Sequence, residues 1–191
     1  GFQPHRRGKK LVTICTSKGC VGRCSFCHRM DKGIRIKSIE RIVQEIKRAI
    51  DEFDAGFVFF GDEDFGASKE WLRLFARSIK PFDVLYAVQG MRVDHVTPEM
   101  LEILKDSGCV SIFYGIESGS QRMLEVMEKR VGVRDNMNAY HWSVQSGIQA
   151  PFQFILGLPG DNAETVQETI DFLRRATEVL PKEDLISISI K

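Results

Sequence analysis

Three cysteines lie within eight residues near the start of the chain, at Cys20, Cys24 and Cys27. Thiolates are soft ligands that select zinc, copper(I) or iron–sulfur clusters. Three thiolates on one short loop can bind three of the four irons of a [4Fe–4S] cubane, because the loop wraps one corner of the cluster. The spacing therefore predicts a cluster whose fourth iron is open to a ligand from outside the protein.

Structural zinc is the competing metal for this loop, with His28 and the three cysteines as its ligands. Structural zinc sites take four closed tetrahedral ligands, usually from two separated pairs. His28 is adjacent to Cys27, and the sequence contains no second cysteine pair downstream. The spacing favours the iron–sulfur cluster, and a zinc-stabilised, non-catalytic binding module stays open as the alternative from a different class.

The other two of the five cysteines are Cys15 and Cys109. Cys15 lies inside a predicted strand and Cys109 at the start of another, so we expect both to be small buried side chains. An odd number of cysteines, three of them crowded together, is typical of a metal site in a reducing compartment. We therefore expect a cytoplasmic protein.

The composition is that of an ordinary globular domain. The chain has 191 residues, with 27 basic and 26 acidic side chains and a formal net charge of +1. This balance indicates no nucleic-acid surface, and no apolar run approaches the ~20 residues that a membrane helix needs. We expect residues 1–10 to be a linker or N-terminal tail and residues 11–191 to form one core domain.

Strand-like and helix-like segments alternate along the chain and must position the cysteine loop. Helices are predicted from the caps Ser38, Ser68 and Thr97, from about Ser120 and Asp135, and over 161–179 after a capping box of Asp161 and Glu164. The predicted strands are short apolar runs over 11–16, 57–60, 84–88, 110–114, 152–156 and 186–190.

Six strand–helix steps with continuous apolar strands predict an α/β fold with a parallel sheet covered by helices. Sequential, right-handed connections curl such a sheet into a partial (β/α)6 TIM-type barrel, and an open doubly wound sheet is the alternative. The chain stops at the sixth strand without its closing helix, so we expect a truncated barrel. Functional residues are expected at the carboxyl ends of the strands.

The C-x3-C-x2-C spacing after the first strand, with several later segments in matching order, resembles the radical S-adenosylmethionine (SAM) superfamily over nearly the whole chain. The resemblance implies that the amino and carboxylate groups of SAM bind the open iron. It also implies that an electron, from a donor such as flavodoxin or ferredoxin, cleaves SAM to a 5′-deoxyadenosyl radical.

The resemblance also assigns residues of the first half of the chain to SAM. Phe26 matches an aromatic residue that packs near the adenine. Gly61, Asp62 and Glu63 match the position of the family's GGE motif, which binds the methionine amino group, with Asp62 in place of the second glycine. A carboxylate suits an ammonium group, and a glycine lets a backbone carbonyl approach a ligand.

In the second half, Glu117 and Ser118 resemble the family's ribose motif. Lys129 matches a basic partner of the methionine carboxylate, with Arg130 as a neighbouring candidate. Gln153 aligns with a polar residue that contacts ribose, and a polar side chain in an apolar strand needs a hydrogen-bonding partner. The remaining matches are to the adenine-binding region, at Gly157 and Leu158. His28 and Arg92 fit cavity or ordinary loop positions equally and stay unassigned.

The segments 34–38, 62–65 and 117–120 resemble the subgroup of cobalamin-dependent and methylthiotransferase-like members. The resemblance implies hydrogen abstraction, methylation or rearrangement of an unknown small or macromolecular substrate. It leaves cobalamin open, through a domain that is not in this chain. The alternative reaction is methylthiotransfer to RNA or protein.

Overall fold

A computed structural model describes residues 9–28, 33–66, 68–178 and, for the backbone, 186–190. Most of the predicted tail over 1–10, and the predicted helix end at about residue 179, lie outside the described residues. The helices are α1 (Ile39–Phe53), α2 (Lys69–Ile79), α3 (Pro98–Asp106), α4 (Gln121–Val126), α5 (Val133–Gln145) and α6 (Ala163–Thr177). The strands are β1 (Lys10–Ile14), β2 (Ser17–Lys18), β3 (Arg35–Ile36), β4 (Ala55–Gly61), β5 (Leu85–Met91), β6 (Cys109–Tyr114), β7 (Phe152–Leu156) and β8 (Ile186–Ile190).

Six of the strands are parallel and follow one another in chain order. β1, β4, β5 and β6 form one continuous sheet, and β7 pairs with β8. Two isolated parallel bridges, Ser111 with Gln149 and Glu117 with Phe154, join β6 to the β7 segment. Among the strands that the structure describes, the order has no switch point, which a doubly wound sheet requires. The prediction of a partial (β/α)6 barrel is therefore confirmed.

Side-chain caps fix where the helices begin. Ser38, Ser68 and Thr97 accept hydrogen bonds from backbone amides in the first turns of α1, α2 and α3, as the sequence predicts. The capping box of α6 is one residue later than predicted. Its cap is Asn162, which accepts from the amide of Thr165, while the Thr165 hydroxyl accepts from the amide of Asn162.

The main core lies between the sheet and the helices that cover its outer face. Four aromatic side chains are fully buried there: Phe60, Phe65, Phe75 and Tyr86. Phe60 contacts Phe75 and Tyr86 edge to face, Phe65 contacts Phe75 in the same way, and the Trp71 ring stacks on Phe75. Phe65 belongs to the loop after β4, so its burial pins that loop to the core. Burying an aromatic side chain of this size contributes roughly 1.5–3 kcal/mol.

The two isolated cysteines have different environments. Cys109 is fully buried as predicted, and burial raises the pKa of its thiol to about 12. The prediction that Cys15 is buried is wrong, since its side chain is exposed. β1 ends at Ile14, one residue before Cys15, and within the described residues β1 pairs on one side only, with β4. The Cys15 thiol donates to the Gly61 carbonyl at 3.2 Å.

Gly90 lets β5 pass unusually close to the loop after β4. Its φ is +81°, and a Cβ added there would lie 2.4 Å from the carbonyl oxygen of Asp62 and 2.9 Å from that of Glu63. Both atoms belong to backbone, which cannot move aside as a flexible side chain can. A glycine is therefore required at the strand end that supports this loop.

We expect Gly90→Ala to lower the free energy of unfolding by about 3 kcal/mol or more, because it adds a backbone collision to left-handed strain. Gly147→Ala is the matched control. Its φ is +71°, but the added Cβ meets only the end of the Lys105 side chain, so we expect a cost of about 1–2 kcal/mol. Urea unfolding followed by circular dichroism measures both, and equal costs would contradict the close approach.

Candidate active site

The carboxyl ends of the parallel strands surround a cavity of about 390 Å³. This is the edge of the sheet at which the sequence predicts function. The lining residues come from the cysteine loop, from the ends of β4, β5 and β6, from β7 and from the segment after α4. They are Cys20, Cys24, Phe26, Cys27, Gly61, Asp62, Glu63, Gln89, Gly90, Met91, Arg92, Phe113, Gly115, Glu117, Lys129 and Gln153.

The three cysteines of the loop all reach this cavity. Gly22 lies between the first two, since a Cβ built on it would be 3.3 Å from the sulfur of Cys20 and 3.8 Å from that of Cys24. The Gly22 amide donates to the Cys20 sulfur at 3.2 Å. On the far side of the loop, the amide and hydroxyl of Ser25 donate to the carbonyls of Met127 and Val126, both at 2.9 Å.

Asp62 fixes the start of the cysteine loop. One carboxylate oxygen, Oδ1, accepts from the Thr16 hydroxyl at 3.2 Å, from the Ser17 hydroxyl at 2.8 Å and from the Ser17 amide. The side chain is 4% exposed, and burial raises the pKa of its carboxyl even though these donors oppose the shift. The resemblance aligns Asp62 with the second glycine of the family motif, and the aspartate gives the loop an anchor that a glycine lacks.

The next two residues extend the same attachment. Glu63 lines the cavity, and its Oε2 accepts from the Gly19 amide at 2.7 Å. Asp64 Oδ2 accepts from the Val21 amide at 3.4 Å and lies 3.6 Å from the Cys20 sulfur. The predicted contact of Glu63 with the SAM amino group stays a prediction, and in this structure the carboxylate holds the cysteine loop.

An ion pair forms another part of the cavity lining. The Lys129 ammonium donates to Glu117 Oε1 at 3.0 Å, and each side chain is only 13% exposed. The backbone of Glu117 is left-handed, with φ 61°. A Cβ on Gly115 would lie 2.5 Å from both charged groups, so the pair needs a glycine there. The Lys129 ammonium is also 5.9 Å from the Phe26 ring centre.

Glu117 is held between β6 and β7 by its own backbone. Its amide donates to the Gln153 carbonyl, and its carbonyl accepts from the Ile155 amide, both at 2.9 Å. This pairing makes Glu117 and Gln153 neighbours in the cavity lining, although they are 36 residues apart in the sequence. Spacing along the chain does not reveal such a neighbour.

Within the described part of the chain, the cavity lining does not include Ser118, Gly157, Leu158 or Arg130. Ser118 is buried, and its hydroxyl lies 3.3 Å from that of Thr169 on α6. The Gly157 amide donates to Asp161 at 2.8 Å, which shapes the turn after β7. SAM-binding roles for Ser118, Gly157 and Leu158 stay predictions that the cavity geometry does not support.

Sequence reasoning missed the contribution of β5 and of Phe113 to the cavity. Gln89, like Gln153, is a polar residue in an apolar strand, and this pattern could have identified it as a cavity residue. Arg92, left unassigned by the sequence, lines the cavity and holds Asp94 through two hydrogen bonds of 3.0 and 2.9 Å. The Asp94 carboxylate is the leading cause of a raised Arg92 pKa.

The residues present fit an open cubane. In the described ranges, no three or more side chains among His, Cys, Asp and Glu converge on one point that could hold a single metal ion. A cubane does not need such convergence, because each thiolate binds a different iron. Burial raises the pKa of the Cys20 thiol, while the Gly22 amide opposes that shift by donating to the sulfur. The Gly22 amide therefore favours the thiolate form of Cys20, which is the form that would bind iron.

Three comparisons with known proteins agree. The sequence profile of the Radical SAM superfamily matches residues 14–173. An uncharacterized methyltransferase of Pyrococcus horikoshii is 28% identical over 173 residues, which cover 88% of this chain and 38% of that protein. The cytidylyl-2-hydroxyethylphosphonate methyltransferase of Streptomyces wedmorensis is 26% identical over 184 residues, which cover 91% of this chain and 34% of that enzyme.

Among solved structures, the radical SAM methyltransferase TsrM from Kitasatospora setae, with cobalamin and a [4Fe–4S] cluster bound, superposes with a TM-score of 0.81. The identity is 20%, and the match covers 95% of this chain and 37% of that one, so it shows a common fold. The chain thus spans well under half the length of these three proteins. None of the helices in the described ranges is long and apolar enough to cross a bilayer.

We expect Lys129→Met to lower the free energy of unfolding by about 2 kcal/mol, because it leaves the Glu117 carboxylate unpaired and largely out of water. The matched control is Lys80→Met, which breaks the exposed pair with Asp106 and should cost at most about 1 kcal/mol. Adding Glu117→Gln to Lys129→Met should recover part of the loss. Urea unfolding measures all three, and an unchanged stability of Lys129→Met would contradict the pair.

Proposed function

The chain belongs to the radical SAM superfamily, and on that premise we propose that it holds a [4Fe–4S] cluster through Cys20, Cys24 and Cys27 and cleaves SAM reductively. The observation that carries this proposal is the placement of all three cysteines on one loop that lines a cavity together with Glu63, Glu117 and Lys129. A soft triad with an open side suits a cluster that binds SAM at its fourth iron.

A cluster bound at the triad would supply one electron to the sulfonium of bound SAM, which would break the sulfur–C5′ bond and give methionine and a 5′-deoxyadenosyl radical. The protein's own part is binding and orientation. Lys129 offers an ammonium to the methionine carboxylate, and its Glu117 partner keeps that ammonium aimed into the cavity. Gly61 offers a backbone carbonyl to the SAM amino group, and Asp62 keeps that strand end fixed to the cysteine loop.

Phe26 and Gln153 complete the proposed SAM site. Phe26 supplies an apolar face for the adenine, and Gln153 supplies an amide for the ribose hydroxyls. A half-buried amide on a strand gains a partner when such a ligand binds, which supports this role. The apolar lining from Met91 and Phe113 helps to exclude water from a reactive radical.

For the whole protein we propose methyl transfer or hydrogen abstraction on a carbon centre. Two relatives that match most of this chain are described as methyltransferases, and they extend well beyond the matched region. We propose that cobalamin takes part and is held by a domain outside this chain; TsrM, which was solved with cobalamin bound, extends well beyond the matched region. We further propose a tail over 1–10, a core over 11–191, a cytoplasmic location and an electron donor such as flavodoxin or ferredoxin.

We expect the 191-residue chain, reconstituted anaerobically with iron and sulfide, to bind about four irons and to absorb broadly in the visible. With dithionite and SAM it should form 5′-deoxyadenosine, measured by chromatography. Cys24→Ala should lose both the cluster and this product, because the triad has no spare ligand.

Cys109→Ala is the matched control, since it removes a buried thiol at the opposite end of β6 from the cavity. It should keep the iron content and the 5′-deoxyadenosine yield of the parent chain. A colourless protein with one zinc per chain, or product formation by Cys24→Ala, would overturn the proposal.

A further inference from the structure

Cys20 lies between two side chains of opposite charge that the SAM site does not use. Asp64 follows β4 and Arg92 follows β5, so the sheet brings them to the same thiol from positions 28 residues apart. The Asp64 carboxylate is 3.6 Å from the Cys20 sulfur. Arg92 approaches the same loop at Gly22, and both charges act on the Cys20 thiol, in opposite directions.

The Asp64 carboxylate is removed from water. The residue is 1% exposed, and its Oδ2 accepts from the Val21 amide at 3.4 Å. Its other oxygen, Oδ1, is buried and has no hydrogen-bond partner within the described residues. A carboxylate in such a place is poorly screened, so its field reaches neighbouring groups more strongly than a surface charge does.

The Arg92 guanidinium approaches the loop at Gly22. A Cβ on Gly22 would be 3.3 Å from Arg92 Nη1 and equally 3.3 Å from the Cys20 sulfur, so guanidinium and sulfur flank the same point. The two hydrogen bonds to Asp94 fix the orientation of the guanidinium, and the Arg92 side chain is 14% exposed. A positive charge is therefore held rigidly beside the thiols.

We propose that Asp64 and Arg92 set the reduction potential of the cluster bound at Cys20, with Asp64 lowering it and Arg92 raising it. The inference rests on the proposed function, since it needs a cluster on the triad. One-electron reduction adds a negative charge to the cluster, which a nearby carboxylate opposes and a nearby guanidinium favours. Charge and hydrogen bonding around the sulfurs are known determinants of cluster potentials.

The test is a redox titration of the reconstituted chain without SAM, with the reduced cluster followed by electron paramagnetic resonance. Asp64→Asn keeps the shape of the side chain and removes its charge, so the midpoint potential should shift to a more positive value. Arg92→Gln should shift it to a more negative value, and Arg92→Lys, which keeps the charge, should stay near the parent. The double variant Asp64→Asn with Arg92→Gln should lie between the two single variants.

Asp106→Asn is the matched control, because it removes an exposed carboxylate far from the loop and should leave the potential unchanged. Shifts of the same sign for Asp64→Asn and Arg92→Gln, or no shift in either, would overturn the inference while the proposed function stands. If Asp64→Asn takes up no cluster, the comparison of Arg92→Gln with Arg92→Lys decides, and equal potentials overturn the inference. A parent chain that binds no cluster overturns the proposed function itself.

Discussion

The attachment of the cysteine loop to the end of β4 by three consecutive carboxylates is the interaction on which the candidate site depends. A loop of thiols has no core of its own, so something must hold its backbone in one conformation. Asp62, Glu63 and Asp64 do so by accepting from the amides of Ser17, Gly19 and Val21. Charge-assisted hydrogen bonds of this kind are stronger than neutral ones.

This attachment is in turn fixed by packing below it. Phe65 inserts into the aromatic core immediately after the carboxylates, and Gly90 lets β5 pass against their backbone. The cysteine loop, the carboxylates and β5 are therefore held together by direct contacts. A cluster with an open iron needs such rigidity, because the ligands must hold three irons while the fourth binds a separate molecule.

A second part of the cavity lining depends on an ion pair. Glu117 takes a left-handed backbone conformation at the join between β6 and β7, and its carboxylate receives the Lys129 ammonium. A cation held in this way is available for an anionic ligand without first being drawn from solvent. The cavity lining thus combines thiols on a loop attached to carboxylates with a fixed ion pair, and this combination suits an amino-acid-like ligand.

The sequence by itself predicted the six parallel strands, the six helices and the cysteine triad. It did not predict the short antiparallel pair of β2 and β3, and it left the strand order open between a barrel and a doubly wound sheet. Apolar runs, cap residues and thiol spacing are local properties, so short segments of the sequence are enough to recognise them. The same locality explains the one-residue error at the α6 cap, where Asp161 and Asn162 are both good caps and only the fold selects between them.

Only the tertiary structure decided which polar groups meet. Cys15 is exposed beside the edge strand β1, and the Ser118 hydroxyl lies near α6. The Glu63 carboxylate bonds to the cysteine loop, and Asp64 and Arg92 lie near Cys20. These outcomes depend on distances between separate strands. Parallel pairing sets those distances, and the spacing of residues along the chain does not reveal them.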